Sequence, residues 1–273
     1  MPTQATLTER MAALAVAHEA HALATVVETS GSTSAHPGDR ALIDAAGAVL
    51  TGWVGGGCAE SAVRQAALDC LKDGTPRMIE LDLDDEVLGV GMPCGGAMRV
   101  FVQPFLPPAT LWIIGHGRVA EALCRLGAEV GYRVVVNDTP PPDPARFPDA
   151  AELIGDDLDY ARLAPARGDA VVIATQHKGD HFSAVRALRS PASLVAIIAS
   201  RKRSGLVREF LRKEGFSAEE LVRLRAPAGL DIGARAPGEI ALSVIAELVM
   251  HRQGGTGLPR DATLAPGRLA RAA

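Results

Sequence analysis

The chain has almost no aromatic residues, 4% of its 273 positions, although 48% are hydrophobic. A core built on rings is excluded, and Ala, Val, Leu and Ile have to fill it. It also lacks an excess of positive charge: a formal net charge of -4 argues against a dedicated DNA or RNA binder. No apolar run reaches the roughly 18 residues of a membrane-spanning helix, so no span is expected. The first residues lack the charged-then-apolar pattern of a signal peptide, and the chain reads as cytoplasmic. Cysteine is scarce as well, with Cys58, Cys70, Cys94 and Cys124 and no C-x-x-C pair. In a cytoplasmic chain of this size that argues against a disulfide framework. Cys70 and Cys124 fall in helical patterns and read as packed thiols.

Two rhythms divide what is there. Residues 8–23 are Ala-rich and helical in pattern, 24–28 read as a short strand, and 29–40 as a small-residue loop. Residues 41–44 and 48–53 flank a turn and read as a hairpin. A helix over 59–71 and strands over 77–83 and 98–105 complete an α+β unit. After a Pro-containing linker at 104–108, strands at 110–114, 133–136, 151–154, 170–174 and 194–198 alternate with helices at 119–130, 180–189, 203–213 and 237–252. That alternation predicts a mostly parallel sheet covered on both faces. The expected organisation is an N-terminal α+β domain over 1–106, a Rossmann-like domain over 107–254 and a flexible tail over 255–273.

Gly115-His116-Gly117-Arg118-Val119-Ala120 has the G-x-G-x-x-A form of a dinucleotide phosphate loop. An apolar strand precedes it, a helix follows it, and a second strand ends at Asp138. Gly115 permits the tight turn, Gly117 lets backbone approach a phosphate, and Ala120 allows close packing of helix on strand. The helix N-terminus adds unpaired N–H groups and a positive dipole. Asp138 is placed to accept from a ribose 2′-hydroxyl and to disfavour a 2′-phosphate. His116 and Arg118 fill the variable positions, and His116 faces either a phosphate or solvent. A nucleotide such as NAD suits this loop, yet no substrate-binding partner typical of a dehydrogenase is recognisable.

Beyond the fourth parallel strand lies Thr175-Gln176-His177-Lys178-Gly179-Asp180-His181, where open α/β sheets place ligand contacts. His177 is the candidate there for phosphate or substrate; a metal pair with His181 would need a third ligand. Asp180 reads as a cap of the next helix. Arg201, Lys202 and Arg203 can hold an anion or simply begin a solvated helix. Ala228–Gly233 is rich in turn residues and returns Asp231 toward the sheet.

The remaining thiols stand beside glycines, in Gly55-Gly56-Gly57-Cys58 and Pro93-Cys94-Gly95-Gly96. Glycines leave backbone open to close approach of a ligand. The amides and dipole at a helix N-terminus favour a thiolate, the form that attacks or binds metal, while Glu60 opposes it. Cys58 and Cys94, with Gly56, Gly57 and Gly95, are therefore candidate ligand contacts. Two small buried thiols beside tight turns are the plain alternative.

Several separated segments occur in one order: 28–33, Gly52-Trp53-Val54-Gly55-Gly56-Gly57-Cys58, Cys94-Gly95-Gly96, 114–120, Ser200-Arg201-Lys202-Arg203, 226–234 and 237–241. In this the chain resembles the XdhC/CoxI family of molybdenum-enzyme maturation factors, over roughly residues 10–253. These are accessory proteins of xanthine dehydrogenase and carbon monoxide dehydrogenase. The resemblance implies an XdhC domain followed by a Rossmann fold. It implies a chaperone that binds molybdenum cofactor (molybdopterin), supports its sulfuration and delivers it to a molybdenum hydroxylase apoenzyme. A cysteine desulfurase is the second implied partner, and Cys58 and Cys94 are the implied contacts to the cofactor or its sulfur. A homodimer stays open; no nucleic-acid or membrane partner is expected. The chain departs from the family at Ser34, where proline is usual, and near Ala41, where methionine is usual. It departs again at Gln176-His177-Lys178, where His-Asp-His is usual, and at His116, where a small residue is more common. The competing reading, an NAD(P)- or flavin-dependent oxidoreductase, rests on the phosphate loop and Asp138.

Overall fold

The computed structural model describes residues 4–82, 96–175 and 179–263. The chain forms two compact units, residues 1–107 and 108–273.

The N-terminal unit runs α1 (Gln4–Val16), β1 (His21–Gly31), β2 (Arg40–Asp44), β3 (Val49–Gly52), α2 (Cys58–Asp73), β4 (Arg77–Asp82) and β5 (Gly96–Phe105). Its five strands pair antiparallel in the order β3-β2-β1-β5-β4. Helix α2 buries Ala59, Val63, Ala66, Ala67 and Cys70, the stripe expected of an amphipathic helix. They pack with Ala22, Ala24 and Val26 of β1 and Met98, Val100 and Val102 of β5. Along β5 these buried residues alternate with exposed Arg99 and Gln103, the period of a half-buried strand. Helix α2 stops at Gly74, whose left-handed φ of 74° returns its N–H to Cys70 O.

Strand β1 is longer than the sequence pattern predicts. It takes residues 21–23 from the expected first helix and 29–31 from the expected loop. The Ala-rich stretch is locally suited to helix, but His21, Ala22 and Leu23 find partners on two sides, in β2 and β5. Pairing within a sheet outweighs that local preference.

The C-terminal unit runs β6 (Thr110–Gly115), α3 (Arg118–Glu129), β7 (Arg133–Asp138), β8 (Glu152–Gly155), β9 (Ala170–Ala174), α4 (Asp180–Arg189), β10 (Leu194–Ile197), α5 (Arg201–Lys213), β11 (Leu224–Arg225), α6 (Pro237–Gln253) and α7 (Arg260–Thr263). Six parallel strands lie in the order β8-β7-β6-β9-β10-β11. This is a Rossmann-like order, with its direction of winding reversed between β6 and β9. Leu111 and Ile113 of β6 pack with Leu123 of α3 and Val244 of α6. Trp112 and Ile114 belong to a second core with Leu188 of α4 and Leu211 of α5. Both faces are therefore covered.

Three local features differ from the sequence reading or add to it. The final strand β11 and the 3-10 turn before it (Glu220–Arg223) have no counterpart in the sequence reading. The strand has only two residues, and its place depends on pairing with Val195 and Ala196. Helix α4 is capped by Gly179, at φ 80°, rather than by Asp180, which is its first residue. The segment expected as a flexible tail contains the one-turn helix α7. No helix among the described residues is long and apolar enough to cross a membrane.

Candidate functional site

In the N-terminal unit, glycine segments converge on the loop that follows β1. Gly96, two positions after Cys94 in sequence, pairs with Gly31 across the sheet. A Cβ on Gly96 would lie 2.6 Å from Ser30 O and 2.8 Å from Ser32 O. Gly55 approaches the same loop, where a Cβ would come within 3.8 Å of Ser34 Oγ and 3.9 Å of Ala35 Cβ. Gly57 is the N-cap of α2 at φ 59°, with no side-chain cap, and space is open above both Gly56 and Gly57. Cys58 is the first residue of the helix and is partly exposed, with Glu60 in the same turn. Cys70 and Cys124 are buried, as the sequence predicts; the Cys70 thiol points to Val102 O at 3.7 Å. Cys94 and Gly95, the expected counterparts of Cys58, lie outside the described residues. Among the described residues no group of three His, Cys, Asp or Glu side chains could hold a metal ion.

In the C-terminal unit the direction of winding reverses between β6 and β9, the place where open α/β sheets bind ligands. Gly115, at φ 118°, stands so close to β9 that a Cβ would lie 2.5 Å from Ala174 O. Gly117 is the N-cap of α3 at φ 91°, and Ala120 is fully buried under that helix. Arg118 is exposed at the helix start. His116 does not simply face solvent: its Nδ1 lies 2.6 Å from Asp138 Oδ2. Asp138 Oδ1 accepts from Thr139 N at 2.9 Å. The acid expected at a ribose thus has both oxygens engaged, and Nε2 is the nitrogen that His116 has left for a ligand. Asn137 beside it is buried and donates from Nδ2 to Asp157 Oδ2 at 2.8 Å, a tie that sequence reasoning missed. His177 lies outside the described residues. His181 packs against Phe182 and Phe210, with ring centroids 4.1 and 4.9 Å away.

A cavity of about 580 Å³ opens at the carboxyl end of β10, between Ser200-Arg201 and the segment 227–234. That segment is held by backbone bonds, Ala228 N to Ile197 O at 2.9 Å and Leu230 N to Ser243 O at 3.1 Å. Gly229 N also donates to Glu247 Oε2 at 2.7 Å, and buried Glu247 meets Arg225 Nε at 3.3 Å through its other oxygen. Gly229, at φ 97°, leaves no room for a Cβ beside Ser243. Arg201, expected as an anion contact, lines this cavity together with Asp231. The sequence pattern returns Asp231 toward the sheet, and the structure sets it on this cavity.

Residues 111–248 match the XdhC Rossmann domain, and residues 14–82 match the XdhC and CoxI family. The chain belongs to the XdhC and CoxI family. The XdhC Rossmann match contains the phosphate loop, Asp138, Arg201 and Asp231; the N-terminal match contains Cys58 and ends before Cys94. YqeB of Escherichia coli, an uncharacterized protein, is 32% identical over 86% of this chain and 44% of its own length. A probable xanthine dehydrogenase subunit of Bacillus subtilis is 30% identical over 57% of this chain and 46% of its own. The chain therefore spans less than half the length of these two relatives. PaoD of Escherichia coli, a molybdenum cofactor insertion chaperone, is 25% identical over 87% of this chain and 86% of its own length. A solved Bacillus halodurans structure described as a xanthine dehydrogenase is 21% identical, covers 91% of this chain and 96% of that one, and has a TM-score of 0.48.

Proposed function

We propose that this chain is a maturation chaperone that binds molybdenum cofactor and inserts it into a molybdenum hydroxylase apoenzyme of the xanthine or carbon monoxide dehydrogenase type. The observation that carries this reading is the alignment with PaoD, which extends over 87% of this chain and 86% of that insertion chaperone. Membership of the XdhC and CoxI family in both units supports it.

The site chemistry suits such a cargo. Cys58, on an open glycine turn at a helix start, offers a soft ligand to molybdenum or its sulfur, and Cys94 with Gly95 is its proposed counterpart. Gly56 and Gly57 leave backbone accessible beside the thiol. Gly115, His116, Gly117 and Arg118 form the proposed phosphate contact, with Asp138 orienting His116; His177 and Arg201, which follow β9 and β10 in sequence, are further proposed contacts. Transfer of sulfur to the bound cofactor would bring a cysteine desulfurase as second partner. The reading places this work in the cytoplasm, where the thiols Cys58, Cys70 and Cys124 would stay reduced.

Substitution of Cys58 and Cys94 by serine tests the role of the thiols. The double variant is expected to keep its thermal unfolding profile and lose activation of the target apoenzyme. Full activation by the double variant would reduce both cysteines to packing residues. An NAD(P)- or flavin-dependent oxidoreductase draws support from the phosphate loop and Asp138, and no substrate-binding partner typical of a dehydrogenase accompanies them in the sequence. Titration with NAD and with flavin, followed by a turnover screen, separates the two readings.

A further inference from the structure

The cavity at the carboxyl end of β10 holds two opposite charges that do not neutralise each other. Arg201 and Asp231 both line it, and neither side chain has a hydrogen-bond or ion-pair partner among the described residues. At about 580 Å³ the cavity lies within the roughly 300–1,000 Å³ of small-molecule sites. Its walls are the backbone of 227–234 together with apolar Ile198, Leu230 and Ile240, surfaces that suit a flat ring. The segment carrying Asp231 is fixed at Ala228, Gly229 and Leu230 by the bonds to β10 and α6, so the approach to the carboxylate is pre-organised.

A carboxylate accepts two N–H donors side by side, and a guanidinium donates to a carbonyl. A 2-amino-4-oxo-pyrimidine edge presents that sequence, an amino group and a ring N–H next to a carbonyl oxygen. Pterins carry this edge, and so does guanine. We propose that the cavity receives the pterin ring of the molybdenum cofactor, with Asp231 accepting from the 2-amino group and the adjacent ring N–H and Arg201 donating to the 4-oxo oxygen. This rests on the chaperone reading and assigns Asp231 the specificity-determining part in it. Strand β10 lies two places from β6 in the sheet, about 10 Å at ordinary strand spacing. A ligand of that reach can therefore place its phosphate on Gly115–Arg118 of the same unit.

The test uses the full chain and free ring compounds as probes, read by fluorescence or calorimetric titration. Pterin carries the 2-amino group; lumazine has a second carbonyl in its place. Pterin is expected to bind about tenfold more tightly, the scale of one hydrogen bond to a charged group. In Asp231→Asn that preference is expected to fall to near unity, with the melting temperature unchanged because the side chain is exposed. Equal affinity for pterin and lumazine, no binding of pterin at millimolar concentration, or a preference that survives Asp231→Asn would overturn the assignment. Tighter binding of guanosine monophosphate than of pterin, lost in Asp231→Asn, would also overturn it and give the cavity to a guanine nucleotide. Cofactor delivery distinguishes the two levels. A chain that delivers cofactor normally with Asp231→Asn sinks only this site, whereas a wild-type chain that carries no cofactor sinks the function on which it rests.

Discussion

His116 Nδ1 stands 2.6 Å from Asp138 Oδ2, joining the phosphate loop after β6 to the end of β7. The bond commits one ring nitrogen of His116 and holds the imidazole against the Asp138 carboxylate. His116→Ala is expected to weaken binding of inorganic pyrophosphate about tenfold, the scale of one hydrogen bond to a charged group. Asp138→Asn keeps a partner for the ring and is expected to cost less. Calorimetric titration of the full chain measures both, and an unchanged affinity in His116→Ala would remove the ring from the site.

Two kinds of glycine are expected to respond differently to alanine. Gly115 needs its φ of 118° and has no room for a Cβ beside Ala174 O, whereas Gly56 has neither constraint. Gly115→Ala is expected to destabilise the fold by roughly 2–3 kcal/mol, the cost of overpacking added to a strained backbone. That lowers the melting temperature by roughly 4–12 °C in a domain of this size. Gly56→Ala is expected to leave the melting temperature unchanged. Calorimetry of the pair decides whether close approach or merely small size holds these positions.

The thiols are predicted to separate by reactivity. In a Cys94→Ser background, Cys58 is expected to react with an aromatic disulfide in the native protein, and Cys70 and Cys124 only after unfolding. Burial, and secondarily the charge of Asp149, pushes the Cys124 thiol up from 9.0 to about 11. Its folded state therefore holds the proton more tightly than the unfolded chain. The associated stability is complete below pH 9 and is lost as pH rises through about 11. Denaturant unfolding across that range should show a decline that is shallower in Cys124→Ala.

Buried Glu247 anchors the floor of the cavity through Gly229 N and Arg225. Glu247→Ala leaves a backbone donor and a cation without their partner, and is expected to cost roughly 2–4 kcal/mol. Glu247→Gln keeps an oxygen for Gly229 and is expected to cost less. Hydrogen exchange at the Gly229 amide should accelerate in the alanine variant and change little in the glutamine variant.

Much of the C-terminal unit is legible in the sequence because its strands are short apolar runs bounded by turn residues, from 110–115 to 194–197. The glycines of the phosphate loop are legible for the same local reason: the turn demands conformations that other residues resist. What is not legible depends on partners distant in the chain. His21–Leu23 became strand because β2 and β5 flank them, and the two residues of β11 are a strand only beside β10. His116 and Asp138 are 22 positions apart and meet because β6 and β7 pair in parallel. Arg201 and Asp231 likewise share a cavity only after the 227–234 segment is tied back to β10 and α6. Cys58, by contrast, is readable as a thiol at a glycine-led helix start from its own neighbours.

Transfer of cofactor to an apoenzyme tests most directly what the molecule is for. The chain would be purified from cells that make molybdenum cofactor, assayed for bound molybdenum and pterin, and mixed with a cofactor-free molybdenum hydroxylase whose activity is then followed. The expected result is bound cofactor in the purified chain and recovery of hydroxylase activity that depends on adding it. A chain that carries no cofactor, with a hydroxylase that recovers equally well in its absence when free cofactor is supplied, would contradict the account.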